Sequence, residues 1–310
     1  MKRQRMIGMA IAALFGASCW SMGTSTTRSQ PADTPRTSDQ TSATPTPKSL
    51  VSPVGNTKMT QTSANRSFQD NLPSDFSQPT DDAGRLLLRE YGSVFVSRGG
   101  TIPPKKVVFK DQADVLAFQA TVQKSTESIG GLSMTLQTPA MNALKNAIAE
   151  AKRAGLSIGP RGADSSRRDY DHTVKLWASR VNPGFVHWVG KGRVTQAEAA
   201  RIKRLSPFEQ VSEILKLEQQ SIFFSTGKDK SIIYSVAPPG TSQHISMLAL
   251  DVKEFDNARI RAILANHGWF QTVTSDLPHF TYLGVTEAEL PGIGLKKVSN
   301  TGRDFWVPDI

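Results

Sequence analysis

Cysteine is almost missing from this chain: its 310 residues contain one, Cys19. That scarcity excludes Cys-rich zinc modules, iron–sulfur clusters and any intrachain disulfide framework. Long apolar runs are also missing beyond the first twenty residues. Because each membrane-spanning helix needs about 20 nearly continuous apolar residues, the sequence excludes a protein with several membrane spans.

Several sequence signatures of enzymes are absent as well. The chain has no Gly-x-x-x-x-Gly-Lys-Ser/Thr phosphate loop, no Gly-x-Ser-x-Gly turn, no His-Glu-x-x-His helix and no Cys after position 19. It also lacks runs of Lys and Arg with interleaved aromatic residues, so nucleic acid is not predicted as a partner. Metal and carboxylate chemistry remain as the candidates.

The N-terminal residues carry the features of an export signal. Three basic residues within the first five positions precede the apolar run 7–18, which is short for a bilayer span but has the length of a signal-peptide core. We therefore predict a signal peptide over 1–22 and export to the periplasm or the cell envelope. The small residues before Cys19 leave two alternatives open, a lipid anchor on Cys19 and ordinary signal-peptidase cleavage.

A change in composition marks where folding begins. Between residues 23 and 80, 29 of the 58 residues are Ser, Thr or Pro and seven are Leu, Ile, Val, Met, Phe or Trp. Such a segment cannot bury enough apolar surface to offset its ordering entropy. We predict a disordered tether over 23–80 and one folded domain over 81–310, whose 29 basic and 23 acidic residues give a modest positive charge.

The folded part alternates helix signals with short apolar stretches. Thr138 and Pro139 open a helix that Gly155 closes. The mixed order of elements indicates an α+β fold, in which a small, largely antiparallel sheet is flanked by helices in a single domain. Capping residues and apolar spacing predict further helices over 168–181, 196–204, 207–219 and 256–267, and strands over 93–97, 106–109, 222–224, 232–236, 247–252, 270–273 and 280–283.

Two of the five histidines, His244 and His279, lie near acidic residues. If 247–252 is a strand, His244 must approach from the irregular segment before it, because a separation of seven would put His244 and Asp251 on opposite faces of an unbroken strand. A proline between Asp276 and His279 prevents a regular helix from carrying both, so Asp276 belongs to a turn and His279 begins the next strand. Two His and one Asp are a common set of zinc ligands that leaves a position for water.

These segments resemble a known family. The pattern is Ser242-x-His244-x(4)-Ala249-x-Asp251, followed by Asp276-x-x-His279-Phe280. It resembles the zinc peptidases of peptidoglycan called the LAS or VanY-type D-alanyl-D-alanine carboxypeptidase family (peptidase family M15), over roughly residues 131–285. The resemblance implies that His244, Asp251 and His279 hold Zn2+ and that Asp276 is the general base.

The resemblance also implies substrate-binding residues. The segment 165–170 is similar to a Ser-Gly-Tyr-Arg-Ser-type segment of the family, with Arg168 in register with the substrate arginine and with Arg161 and Arg167 as neighbouring alternatives. Ser242 is expected to hydrogen-bond the substrate or to orient a ligand.

One position departs from the family pattern. Met247 stands where the family usually has Gly, which leaves the form of the turn after His244 open.

The implied function is hydrolysis of peptidoglycan stem peptides by an exported zinc peptidase. The residues after His279 favour a D-alanyl-D-alanine carboxypeptidase, whereas Asp276 and Pro278 are closer to the L-alanyl-D-glutamate type endopeptidases. A non-catalytic peptidoglycan-binding protein of the same fold is the third alternative. The sequence leaves the oligomeric state open.

Overall fold

A computed structural model describes residues 67–310 of the chain. The predicted signal peptide, Cys19 and most of the predicted tether lie outside the described residues. The helices are α1 Phe68–Asn71, α2 Asp82–Tyr91, α3 Gln112–Thr121, α4 Thr138–Arg153, α5 Tyr170–Gly190, α6 Gln196–Lys203, α7 Glu209–Glu218 and α8 Ala258–Asn266. The strands are β1 Lys124–Ile129, β2 Leu132–Gln137, β3 Ala249–Asp251, β4 Trp269–Gln271, β5 His279–Tyr282, β6 Leu295–Asn300 and β7 Arg303–Pro308. Short 3-10 turns occupy Gly92–Val96, Ile232–Tyr234, Gln243–Ser246 and Glu287–Ile293.

Helix α5 contributes residues to the wall of the cavity described in the next subsection. Its N-cap is Asp169, whose carboxylate accepts a 2.8 Å hydrogen bond from the N–H of the third helical residue. The helix continues to Gly190, past the end predicted at 181. Gly184 allows α5 to approach the ring of Phe224, since a Cβ at this position would lie 2.3 Å from that ring.

The central sheet has three antiparallel strands in the order β3–β5–β4. Leu250 of β3 pairs with Phe280 of β5, and both side chains are buried in the hydrophobic core. Because side chains alternate along a strand, the next pair, Asp251 and His279, points to the opposite face. Helix α8 packs against β4 and α4. The sheet therefore has one face in the core and one that carries polar residues.

The predicted α+β class is confirmed. All five predicted helices and the strands predicted over 247–252, 270–273 and 280–283 lie near their predicted positions. Among the helices of residues 67–310, none combines the length and the apolar character that crossing a bilayer requires.

Four predicted strands are wrong. Residues 93–97 and 232–236 form 3-10 turns over most of their length, and 222–224 forms no strand in the described structure. The segment 106–109 contributes one isolated bridge, between Lys106 and Ser77. A short apolar run is buried equally well in a turn or a strand, so its hydrophobicity does not distinguish the two.

The packed part of the chain begins before the predicted boundary at residue 81. Phe68 is fully buried in the hydrophobic core, and a capping box on Ser67 starts the short helix α1. Gly294, at φ 79°, lies so close to this segment that an added Cβ would meet the Phe68 backbone at 2.3 Å. The buried Phe68 side chain thus packs the segment around α1 against the core, although its composition predicted that it belongs to the tether.

We expect Phe68→Ala to lower the free energy of unfolding by about 3–5 kcal/mol, because it removes a fully buried aromatic side chain. Urea denaturation of the full-length protein, followed by tryptophan fluorescence, measures the change. Val186→Ala is the matched control, since Val186 is 73% exposed and truncation there should change stability by less than about 0.5 kcal/mol. If the two variants were equally stable, Phe68 would not contribute to the folded domain and would belong to the predicted tether.

Candidate metal centre

Two of the three predicted metal ligands meet through strand register. Asp251 ends β3 and His279 begins β5, and they are direct cross-strand partners. Opposite residues of an antiparallel pair point to the same face. The Oδ1 atom of Asp251 therefore lies 3.3 Å from Nδ1 of His279.

The third ligand comes from the turn before β3. His244 lies in the 3-10 turn Gln243–Ser246, which ends at Met247 in the left-handed conformation with φ 58° and ψ 30°. This reversal brings Nε2 of His244 to 3.2 Å from Oδ1 of Asp251. The ligand atoms of His244, Asp251 and His279 all lie within 4.8 Å of one another. The turn that the sequence left open thus takes the positive φ that a Gly would adopt.

Hydrogen bonds to the outer nitrogens fix both imidazoles. Nδ1 of His244 is 2.8 Å from the backbone carbonyl of Ser166, and Nε2 of His279 is 2.9 Å from Oε1 of Gln243. Both partners are acceptors, so each of these nitrogens carries the proton and donates it. The remaining nitrogens therefore present lone pairs to Asp251.

Burial and neighbouring groups shift the pKa values of His244 and Asp251. Burial lowers the pKa of the His244 imidazole more than the Asp251 carboxylate raises it. Burial alone would raise the pKa of Asp251, yet this pKa lies below its ordinary value, so the carboxylate is ionised. Arg168 donates from Nη2 to Oδ2 of Asp251 at 2.8 Å. That ion pair leaves Oδ1 as the oxygen that faces the histidines.

The donor set fits a divalent cation such as zinc. Nε2 of His244 and Oδ1 of Asp251 are buried and have no hydrogen-bond partner within residues 67–310. Such unsatisfied buried atoms are costly unless another group pairs with them. Two neutral imidazole nitrogens and one carboxylate oxygen are the ligand types that zinc prefers. His244, Asp251 and His279 would hold the ion.

Gln243 is a site residue that the sequence analysis missed. Its Oε1 accepts from His279 and from the hydroxyl of Thr281, and its Nε2 donates to the backbone carbonyl of Tyr91 at 2.9 Å. The donation to Tyr91 fixes which end of the amide faces His279. Gln243 occupies the unspecified position between Ser242 and His244 in the motif. Its place directly before a predicted ligand was the sequence signal that could have identified it.

A cavity of about 280 Å³ has His244 and His279 in its wall, and Asp251 lies behind these two residues as their neighbour. Ser242 and Asp276 both line it, and neither side chain has a hydrogen-bond partner in the described part of the chain. Asp276 is exposed and lies in the turn before β5, where its backbone carbonyl accepts from the N–H of His279 at 3.1 Å. The turn thus carries the predicted base directly beside the metal ligands.

The three arginines considered from sequence take different places. Arg168 lines the cavity but is bound to Asp251, and its Nε donates to the backbone carbonyl of Asp164. Arg161 lines the same cavity with an exposed side chain. Arg167 is not part of the cavity wall, and its Nε donates to Gln119.

The comparisons with known proteins found no matching family model and no matching curated protein. Solved structures that are similar in part include the LD-carboxypeptidase LdcB, described for its peptidoglycan recognition, with 17% identity, a TM-score of 0.31, 51% of this chain and 64% of that chain covered. The described protein therefore matches less than two thirds of the LdcB chain.

Two VanY structures are also similar in part. VanYB in complex with D-alanine-D-alanine has 15% identity and a TM-score of 0.34 over 56% of this chain and 84% of that chain. A variant of the vancomycin-resistance D,D-pentapeptidase VanY in complex with Zn(II) has 14% identity and a TM-score of 0.32 over 53% and 82%. These names fall in the peptidase group that the sequence motif resembles. At such TM-scores the alignments carry no weight for function, which rests on the site residues.

We expect Gln243→Leu to weaken zinc binding about 10- to 100-fold, because the variant removes the acceptor that orients His279. Competition with a chromophoric chelator measures the affinity, and thermal unfolding confirms that the variant is folded. Gln196→Leu is the control, since Gln196 is exposed on α6 and far from the donor atoms in sequence. Unchanged zinc affinity in folded Gln243→Leu would show that His279 needs no such support.

Proposed function

We propose that this protein is a zinc-dependent peptidase that hydrolyses peptidoglycan stem peptides, acting as a D-alanyl-D-alanine carboxypeptidase. The observation that carries the proposal is the convergence of two imidazole lone pairs and one unsatisfied carboxylate oxygen, with both histidines in the wall of a cavity. The motif resemblance supplies the substrate class. The site of action would be the periplasm or the cell envelope, as the predicted export signal requires.

Each residue has a role in this hydrolysis. Zinc, when bound, supplies Lewis-acid chemistry, since it polarises a carbonyl and lowers the pKa of water to about 7. Asp276 takes the proton of the attacking water on a carboxylate oxygen and passes it to the leaving amine, while the hydroxyl adds to the acyl carbon. Its free carboxylate at the cavity wall supports this role. Ser242, with an unpartnered hydroxyl, hydrogen-bonds the substrate beside the ligands.

Arg168 has two functions under this proposal. It holds Asp251 through Oδ2, and its position in the cavity wall brings guanidinium N–H groups near a developing negative charge. The ion pair with Asp251 also fixes which carboxylate oxygen is free for the metal.

An endopeptidase of the L-alanyl-D-glutamate type is the second candidate, and one feature favours it. A second cavity of about 590 Å³ adjoins the first, and Tyr234 and Ser275 line both. A continuous groove would accommodate a peptide that extends past the cleavage point.

Product masses from defined stem peptides separate these alternatives. The zinc-loaded full-length protein is incubated with stem pentapeptides and the products are weighed by mass spectrometry. Loss of one terminal D-alanine supports the carboxypeptidase, and an internal cut supports the endopeptidase. If the zinc-loaded protein cuts no stem peptide, both peptidase alternatives are contradicted, and a non-catalytic peptidoglycan-binding protein is the alternative that stands.

We expect Asp276→Asn to retain zinc and to lose about 10²- to 10⁴-fold in kcat, because the amide cannot accept the proton. Metal analysis and the same peptide assay check this result. Asp171→Asn is the control, since Asp171 is exposed in the first turn of α5 and does not line the cavity. His244→Ala should instead lose the metal. Full activity of Asp276→Asn would remove Asp276 from the mechanism.

A further inference from the structure

The wall of the cavity carries more positive than negative side chains. Arg161, Arg168 and Arg180 line it, whereas Asp276 is the one carboxylate in its wall within the described residues. Arg168 is already neutralised by Asp251. The unpaired guanidinium groups, together with a divalent cation at the ligands, therefore make the cavity attractive to an anionic ligand.

Arg180 differs from the other arginines in its surroundings. It lies on α5 in line with Thr173 and Leu176, and these three residues form the face of the helix that lines the cavity. Its side chain is half-buried, and it donates two hydrogen bonds to hydroxyls, from Nε to Oγ of Ser235 at 3.0 Å and from Nη1 to Oγ of Ser179 at 2.8 Å. No carboxylate within residues 67–310 forms an ion pair with it.

A half-buried charge without a counter-ion needs an explanation. Removing a guanidinium from water costs free energy that a carboxylate partner normally offsets. Arg161 has no such need, because its side chain is exposed and stays hydrated. Arg180 is thus the arginine whose surroundings lack an anion.

The hydroxyl beside Arg180 holds the guanidinium in place. Oγ of Ser235 accepts from Nε of Arg180 and also lies 3.1 Å from Oγ1 of Thr226. These contacts hold Nε and Nη1 of Arg180, and within residues 67–310 Nη2 has no hydrogen-bond partner. The planar arrangement of guanidinium donors matches a carboxylate in a bidentate manner.

We propose that Arg180 binds a carboxylate of the peptide substrate. This inference rests on the proposed function, since the ligand is a stem peptide. Such a peptide carries carboxylates both at its C terminus and along its length, and either source offers the same chemistry. Arg180 is therefore a specificity-determining residue, separate from Arg168, and it selects substrates by their negative charge.

Three synthetic stem pentapeptides test the proposal on the zinc-loaded full-length protein. One is fully acidic, the second has a C-terminal amide, and the third has its internal carboxylate converted to an amide. kcat and KM are measured for wild type, Arg180→Gln and Arg180→Lys. Lys175→Gln is the control on the same helix, because Lys175 is exposed and does not line the cavity.

On the acidic peptide we expect Arg180→Gln to lower kcat/KM about 10- to 100-fold, mainly through KM, because a charge-assisted hydrogen bond is lost. Arg180→Lys should lie between this variant and wild type, since it keeps the charge and loses the planar donor pair. On the peptide that lacks the recognised carboxylate, wild type and Arg180→Gln should be equal. If the C-terminal amide abolishes the difference between wild type and Arg180→Gln, the terminal carboxylate is the ligand. If the internal amide abolishes it, the internal carboxylate is the ligand.

Two results would overturn the inference. Arg180→Gln could lower kcat/KM equally on all three peptides, which would make Arg180 merely structural, or it could leave all three unchanged. If wild type cuts none of the peptides, the proposed function fails. Calorimetric binding of the same three peptides to wild type and Arg180→Gln then still decides whether Arg180 holds a carboxylate.

Discussion

Oδ1 of Asp251 faces the lone pairs of His244 and His279 at 3.2 and 3.3 Å, and electron-rich atoms at this separation repel one another unless a cation lies between them. The surrounding hydrogen bonds preserve this arrangement. Ser166 and Gln243 accept the outer protons of the two imidazoles, so neither ring can turn its N–H towards the carboxylate. The fold therefore stabilises an arrangement whose energetic benefit comes from a bound cation.

The backbone contributes to the same arrangement at Met247. A non-glycine residue in the left-handed region costs about 1–2 kcal/mol, and Met247 adopts φ 58° while its side chain is fully buried. The reversal is what turns His244 back towards Asp251, which lies seven residues further along the chain. A glycine would relieve the backbone strain but would leave a cavity where the methionine packs. Packing of the side chain thus compensates a conformation that the site requires.

The sequence grouped His244, Asp251 and His279, which lie close together in the structure, but it missed two outer hairpins of the fold. Asp251 and His279 belong to two strands that the sequence predicted, because both strands are apolar and are flanked by turn residues, whereas their pairing comes from the structure. The hairpins β1–β2 and β6–β7 were missed although Gly130-Gly131 and Thr301-Gly302 adopt the positive φ values of tight turns. One strand of each hairpin, β1 and β6, is polar and largely exposed and so lacks the apolar signal. The contact between Gln243 and His279 joins residues 36 apart, and local sequence patterns do not encode it.

Under the proposed function, the separate positions of Arg168 and Arg180 would connect metal binding with substrate selection. Arg168 neutralises the one ligand carboxylate, so a dication held there would retain most of its charge for the substrate. A peptide with no carboxylate would enter a cavity whose positive groups it cannot satisfy. An acidic peptide instead supplies the counter-ion that Arg180 lacks and reduces the total charge of the site. Under the proposed function, charge complementarity would therefore favour acidic stem peptides before any contact specific to D-alanine is made.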